Sequence, residues 1–519
     1  MPQRKIVHKS PWPAEKGKKY FNALNATLGS FLFGYDSGVI GSTLEQAAFL
    51  QQFDHPSDAV TGGIVSSYNG GAILGSIAAP YICDPFGRRP VMFVGALLAA
   101  LGAALQAGAT HVAMLIVGRL IAGFSIGLMA TTIPIYCSEV APAHIRGFLG
   151  AMQQWMLGLG VVVAQWVGYG CSLHTGAFSW RFPLAMQAVP AVILGTGVWF
   201  LPESPRWLIE KGRKDAGKAV LNRLHLNRTR TNTDLIESEF TQICESIASD
   251  SRTVVSSWRQ LLFSSPTWRH RVLLACGIQA FTQCSGTNVI QVYSPRIYRS
   301  LGLPTSTTLM ITGVWGALAQ FWNTVFLLFI DRVGRRKLLI PSLLGMGAAL
   351  CVEATLARYY GNFAPDADSS VSASPAALRA AIAMFFVFSL FFTALGLISW
   401  LYPAEIFPTA IRARGSSIAT ATNWSLNLVF AQCSPIALTT LQYKYFYCFV
   451  AFNWAAAVIV WACYPETAGK SLEEVGEVFT TGPRLRQRRR APSFGSDPRE
   501  DGKAGLTMQV TQGKDGDSV

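Results

Sequence analysis

In the first half of the chain, two charged side chains stand alone in otherwise apolar runs: Asp36, within residues 20–40, and Arg119, within 114–136. An isolated charge in hydrocarbon costs at least about 2.5 kcal/mol, so the two are predicted to pair. Such a pair can take up and release a proton; it makes and breaks no covalent bond. Bond-making chemistry finds no support elsewhere. The seven histidines are scattered, without a nucleophile–base arrangement, and the ten cysteines include no Cys-x-x-Cys pair. Gly469-Lys470-Ser471 imitates the end of a phosphate loop, but position 464, which that loop needs as glycine, is Tyr464. Neither an enzyme nor a nucleotide-driven pump is expected, and no cofactor or metal.

These charges stand out because charge is scarce. Of 519 residues, 43 are basic and 29 acidic, 14% against roughly 25% in ordinary soluble domains. Half the residues are apolar. That composition excludes a disordered chain and argues against a water-soluble globule. Runs long enough to cross a core of about 30 Å as helices fall at residues 20–40, 61–82, 91–109, 114–136, 148–170 and 184–201. A second set falls at 272–293, 308–330, 338–357, 377–402, 416–433 and 445–464. The prediction is an all-α membrane protein of twelve spans in two bundles. They occupy residues 20–201 and 272–464, with a tail at 1–19 and a polar loop at 202–271. Within that loop, 215–226 and 233–248 have the apolar spacing of short surface helices. The carboxyl tail, 465–519, is expected to be disordered beyond 480.

Lys and Arg favour cytoplasmic loops. Only Arg181, Arg296, Arg299, Arg358, Arg379 and Lys444 fall on the outer side if both termini are cytoplasmic, which sets that orientation. The net charge of +14 then reflects this bias and the Arg-rich run 484–490 beside an anionic inner leaflet, not nucleic-acid binding.

Three signatures occur twice, in the same order. Asp84-x-x-Gly87-Arg88-Arg89 recurs as Asp331-x-x-Gly334-Arg335-Arg336. Tyr136-x-x-Glu139-x-x-Pro142-x-x-Ile145-Arg146 recurs as Tyr402-x-x-Glu405-x-x-Pro408-x-x-Ile411-Arg412, and Pro202-Glu203-Ser204 as Pro465-Glu466-Thr467. Each pair follows the second, fourth or sixth span of its half. Two like halves suit a carrier that rocks about a site between them. The repeated Arg and carboxylate groups, with Arg206, are predicted to form charge-assisted pairs that gate the cytoplasmic edge.

These signatures, with Pro205-Arg206-Trp207, Gly34-Tyr35-Asp36, Gly118-Arg119 and the run from Pro465 to Glu474, resemble the sugar porter family of the major facilitator superfamily. The likeness covers nearly all of 21–475 and has a fungal cast. It implies alternating access for a monosaccharide or a related polyol or acid. It also implies a site: Gln154 matches a sugar-contacting glutamine of the family, Gln283 and Asn288 its Gln-x-x-Gly-x-Asn pattern, and Trp400 its pocket tryptophan. Departures are Thr282 for a first glutamine, Val292 for a first tyrosine, and no prolines around Gly396–Ser399. Gln279, one turn before Gln283, is placed to supply the missing amide. Asn423 and Asn427, four apart, share one helix face. Gln320 and Asn323 are weaker candidates. Amides both donate to and accept from hydroxyls, and in a span they belong in the bundle interior. Family proton symporters carry the acid of Asp36 on the first span and the arginine of Arg119 on the fourth. A proton symporter acting as a monomer in the plasma membrane is the leading expectation; a facilitator without proton coupling and a transporter-like sensor share the fold.

Overall fold

The computed structural model describes residues 15–140, 146–225, 233–252, 266–300, 303–360, 375–407, 409–467 and 479. The expected disordered tail, the Arg-rich run, residues 1–14, and the side chains of Arg146, Asp331 and Arg412 lie outside the described set. Every regular element among the described residues is a helix. The first half comprises α1 (Glu15–Leu44), α2 (Ala47–Gln52), α3 (Asp58–Phe86), α4 (Arg88–Ala107), α5 (Val112–Val140), α6 (Arg146–Ser172), α7 (Phe178–Ala185) and α8 (Ala188–Gly197). Three short helices follow: α9 (Pro205–Glu210), α10 (Lys214–His225) and α11 (Thr233–Arg252). The second half holds α12 (Pro266–Cys284), α13 (Thr287–Ser300), α14 (Thr305–Val333), α15 (Arg335–Tyr360), α16 (Pro375–Ile406), α17 (Thr409–Thr440) and α18 (Lys444–Cys463).

Among the described residues, eight helical stretches are long and apolar enough to cross a membrane: α4, α5, most of α6, the joined α7–α8, α14, α15, α16 and α18. The other predicted spans, first, second, seventh and eleventh, are occupied by α1, α3, α12–α13 and α17. Two predicted spans differ from the sequence reading. The sixth starts earlier, at Phe178. The seventh is broken between Cys284 and Thr287, where Gly286 has φ +89°. A left-handed residue ends a helix, and irregular backbone at this depth is tolerated where protein or a cavity covers it. Ser285 and Gly286 still donate to the carbonyls of Phe281 and Gln283, which keeps the break hydrogen-bonded.

The repeat in the sequence is a repeat in space. In each half, Asp-x-x-Gly-Arg-Arg turns one helix into the next through a glycine of positive φ, Gly87 at 93° and Gly334 at 100°. The exposed amides of the new helix are then capped by a carboxylate from a third motif. Glu203 accepts from the backbone N–H of Arg88 (3.1 Å) and Arg89 (3.3 Å); Glu466 accepts from those of Arg335 (2.8 Å) and Arg336 (3.0 Å). A β-carbon on Gly87 would sit 2.7 Å from Glu203 Oε2, and one on Gly334 2.9 Å from Glu466 Oε2. Glycine is therefore required twice over, by φ and by the approach of the cap. The second motif closes each cluster. Arg88 pairs with Glu139 at 2.9 Å and Arg335 with Glu405 at 2.8 Å. Tyr136 donates to the Pro202 carbonyl at 2.7 Å, and Tyr402 to that of Pro465 at 3.4 Å. Arg89 donates to the carbonyls of Val198 and Trp199, and Arg336 to that of Trp461.

Each of these contacts stays within one half. Asp84 departs from the sequence reading: its side chain is exposed, and its backbone carbonyl accepts from Trp207 Nε1 at 2.9 Å. Arg206 is half-buried on α9. Glu203→Ala and Glu466→Ala should each leave two helix-end amides uncapped and cost about 1–3 kcal/mol. Thermal unfolding of the detergent-purified protein should show losses of similar size for the two variants.

Candidate functional site: an amide relay where the two halves meet

The polar helices converge. Below, the edge carrying both glycine turns is the motif end and the opposite edge the far end. On α12, α13 and α17, four amide side chains form one chain of hydrogen bonds. Asn288 Nδ2 donates to Gln283 Oε1 (2.8 Å), and Gln283 Nε2 to Asn423 Oδ1 (3.1 Å). Asn423 Nδ2 donates to Gln279 Oε1 (2.7 Å), and Gln279 Nε2 to the Ser399 carbonyl of α16 (3.0 Å). Gln279, Gln283 and Asn423 are buried, and Asn288 is half-buried. One turn along α17, Asn427 Oδ1 accepts from Asn69 Nδ2 of α3 at 2.9 Å, which ties the relay's helix to the first half.

Aromatic rings continue the link. Phe33 of α1 lies 6.2 Å from Trp400 and 5.2 Å from Trp424, centroid to centroid. Trp424 is 6.0 Å from Tyr68 of α3, and the Arg119 guanidinium lies over the Tyr68 ring at 4.8 Å. Asp36 and Arg119, both 2% exposed, do not pair as predicted. Asp36 Oδ1 and Arg119 Nε have no hydrogen-bond partner. The guanidinium is instead stacked on an aromatic face, an attraction that strengthens when water is excluded.

The remaining candidates divide. Gln154 is half-buried on α6. Gln320 Nε2 and Asn323 Nδ2 of α14 donate to the backbone carbonyls of Trp155 (3.0 Å) and Gln154 (3.4 Å), which makes them ties between the halves. At the far end, residues that the sequence reading did not assign to a site join the halves. Asp58 of α3 accepts from Arg296 of α13 at 2.8 Å and from Thr439 of α17 at 3.0 Å. Ser66 donates to Gln432 Oε1 at 2.7 Å, and Gln432 Nε2 to the Ala59 carbonyl at 3.2 Å. A β-carbon on Gly41 of α1 would lie 2.6 Å from the Val292 carbonyl, so these helices touch backbone to backbone. A cavity of about 460 Å³ opens here, beside Glu45, His55, Asp58, Tyr293 and Arg296. The sequence signal was an Arg and an Asp just outside two predicted spans, with no spacing to connect them.

A family model described as sugar (and other) transporter matches residues 22–479. The chain belongs to this family. Among relatives, the MFS-type transporter criB of Aspergillus cristatus is 36% identical over 455 residues, 88% of this chain and 92% of the relative. The high-affinity glucose transporter of Kluyveromyces lactis is 32% identical over 463 residues, 88% and 84% of the two chains. The structure of the MFS proton:xylose symporter XylE bound to 6-bromo-6-deoxy-D-glucose superposes with a TM-score of 0.74 at 25% identity, covering 90% of this chain and all of that one. The inward-open xylose transporter XylE from E. coli gives 0.68.

The protein is thus a sugar transporter of the major facilitator superfamily, not an enzyme. In this transporter the relay's length decides what one substitution does. Asn423→Ala leaves Gln279 Oε1 and Gln283 Nε2 without partners, at about 1–2 kcal/mol. A drop in thermal stability of that order is expected, read by thermal unfolding of the detergent-purified protein.

Proposed function

We propose that this transporter carries a monosaccharide, a hexose or pentose, by alternating access with proton symport. The observation behind this reading is the amide relay beside the seam between the halves. A neutral, hydroxyl-rich ligand can exchange amide–amide bonds for amide–hydroxyl bonds one for one, and Trp400 and Phe33 offer apolar faces for its C–H surface. Gln154 faces the same ligand from the first half. The polar helices α1, α3, α12–α13 and α17 complete twelve spans. The motif end is cytoplasmic, as are both termini, and the basic tails lie against an anionic inner leaflet of the plasma membrane. The protein works as a monomer.

Coupling runs through Asp36. Protonation from the far side removes its attraction for Arg119 and lets the two groups part. Arg119 then rests on Tyr68, whose ring abuts Trp424, the neighbour of Asn423 in the relay. Deprotonation toward the cytoplasm restores the attraction and resets the cycle. The motif-end clusters, including Arg146, Arg412, Arg206 and Asp331, hold each bundle rigid and meet across the seam when the cytoplasmic side shuts. The departures at Thr282 and Val292 favour a second reading of the cargo, a polyol, quinate or disaccharide, which the same uptake screen separates.

In proteoliposomes, Asp36→Asn should abolish uphill accumulation and spare sugar exchange; a variant that still concentrates sugar with normal pH dependence refutes the coupling assignment. Arg296→Gln should loosen the far end, read as faster labelling of a cysteine introduced at Thr61 by an impermeant thiol reagent. Exchanging the charges, Asp58→Arg with Arg296→Asp, should restore slow labelling.

A further inference from the structure

The side seam between α6 and α14 is unevenly bonded. Toward the motif end, Gln320 Nε2 donates to the Trp155 carbonyl at 3.0 Å, Asn323 Nδ2 to that of Gln154 at 3.4 Å, and Trp155 Nε1 to Thr324 Oγ1 at 3.1 Å. Toward the far end the two helices meet at Gln165, about 15 Å along α6 from Trp155. Gln165 is 2% exposed, and neither its Oε1 nor its Nε2 has a hydrogen-bond partner. It is the one buried amide side chain among the described residues with both ends bare. Its Oε1 abuts Gly316 of α14, where a β-carbon would collide with it. An approach that close leaves no room for water between them, and the glycine side offers the oxygen only C–H. Burying an amide without a partner is unfavourable, and here the surface pressed against it belongs to the other half.

Each side of this contact is tied to its own half. Gln46, just beyond α1, donates through Nε2 to the Gly168 carbonyl of α6 at 3.3 Å, and α1 packs along α6. On α14, Trp315, the neighbour of Gly316, donates through Nε1 to the Phe385 carbonyl of α16 at 3.1 Å. Parting the halves at the far end therefore draws Gly316 away from Gln165 and lets water reach the amide. Breaking this contact loses no hydrogen bond. The far-end contacts Asp58–Arg296 and Ser66–Gln432 each lose one.

We propose that Gln165 is a gating residue of the transport reaction: its buried, unpaired amide opposes closure of the far end and offsets part of the hold of the Asp58–Arg296 bond. The shut state is thereby kept shallow enough to reopen in each cycle. This rests on the alternating-access reading but not on the identity of the sugar or on coupling through Asp36.

The test is the labelling of a cysteine introduced at Thr61 by an impermeant thiol reagent, on the full chain in nanodiscs without sugar. The reaction of the protein lacking that cysteine is subtracted. Gln165→Met keeps the length of the side chain and removes its polar tip. It should slow labelling by about tenfold and raise the thermal midpoint, because the shut state no longer buries an unpaired amide. In proteoliposomes its sugar exchange should be slower than that of the wild type despite the greater stability, an opposite movement that a merely structural role does not give. Gly316→Ala sets a methyl against Oε1 and should speed labelling; combined with Gln165→Ala, which vacates that space, it should leave labelling slow. Arg296→Gln is the control for the gate. If it speeds labelling while Gln165→Met labels at the wild-type rate or faster, the proposal is overturned. If Arg296→Gln leaves labelling unchanged, the far-end gate itself is wrong and the proposal falls with the alternating-access reading.

Discussion

A polar group in hydrocarbon has no water to fall back on, so each one must find its partner inside the protein. That constraint sorts the helices. The eight stretches apolar enough to span unaided hold none of the relay's four amide side chains. The four elements that are not among them carry the amide relay and other interior polar groups: Asp36 on α1, Asn69 on α3, Gln279, Gln283 and Asn288 on α12–α13, and Asn423, Asn427 and Gln432 on α17. The same residues that make these helices poor membrane spans give them partners in one another. Polar content and central position are two consequences of one requirement.

The duplicated clusters at the motif end follow the same rule at a helix terminus. A new helix begins with amides that its own turn cannot satisfy, and a carboxylate from far along the chain supplies the acceptors. Because Glu203 and Glu466 each bond two amides and sit against a glycine that leaves no room for movement, each bundle has a stiff end. The contacts joining the halves are of another kind. They are bonds between side chains such as Asn69–Asn427, Ser66–Gln432 and Asp58–Arg296, all part-buried. Stiff bodies joined by weak, separable bonds are what rocking requires.

Local and periodic features were legible in the sequence; mutual placement was not. Apolar run lengths located the helices, and the doubled motifs located the caps, because both depend on neighbours in the chain. The surface helices at α10 and α11 were readable from apolar spacing for the same reason. The short α9 was missed, since six residues beginning at a proline carry little periodicity. The early start of the sixth span at Phe178 was hidden by the polar stretch around Arg181. Gln279, Gln283, Asn288 and Asn423 were named singly, yet their order in the relay depends on α12 and α17 facing each other, which no spacing encodes. Gln320 and Asn323 look like the relay residues in sequence but reach backbone carbonyls across the seam instead.

The parting of Asp36 from Arg119 is the most informative departure. Charge count alone requires that two opposite charges in hydrocarbon attract, and in a static protein they would touch. Arg119 has an alternative in the Tyr68 ring, so its separation from Asp36 costs less than the loss of a bare ion pair. Tyr68 is also the ring that meets Trp424, so the group that stabilises the parted state touches the helix that carries Asn423. Arg119, Tyr68 and Trp424 therefore form one chain of contacts that ends beside Asn423.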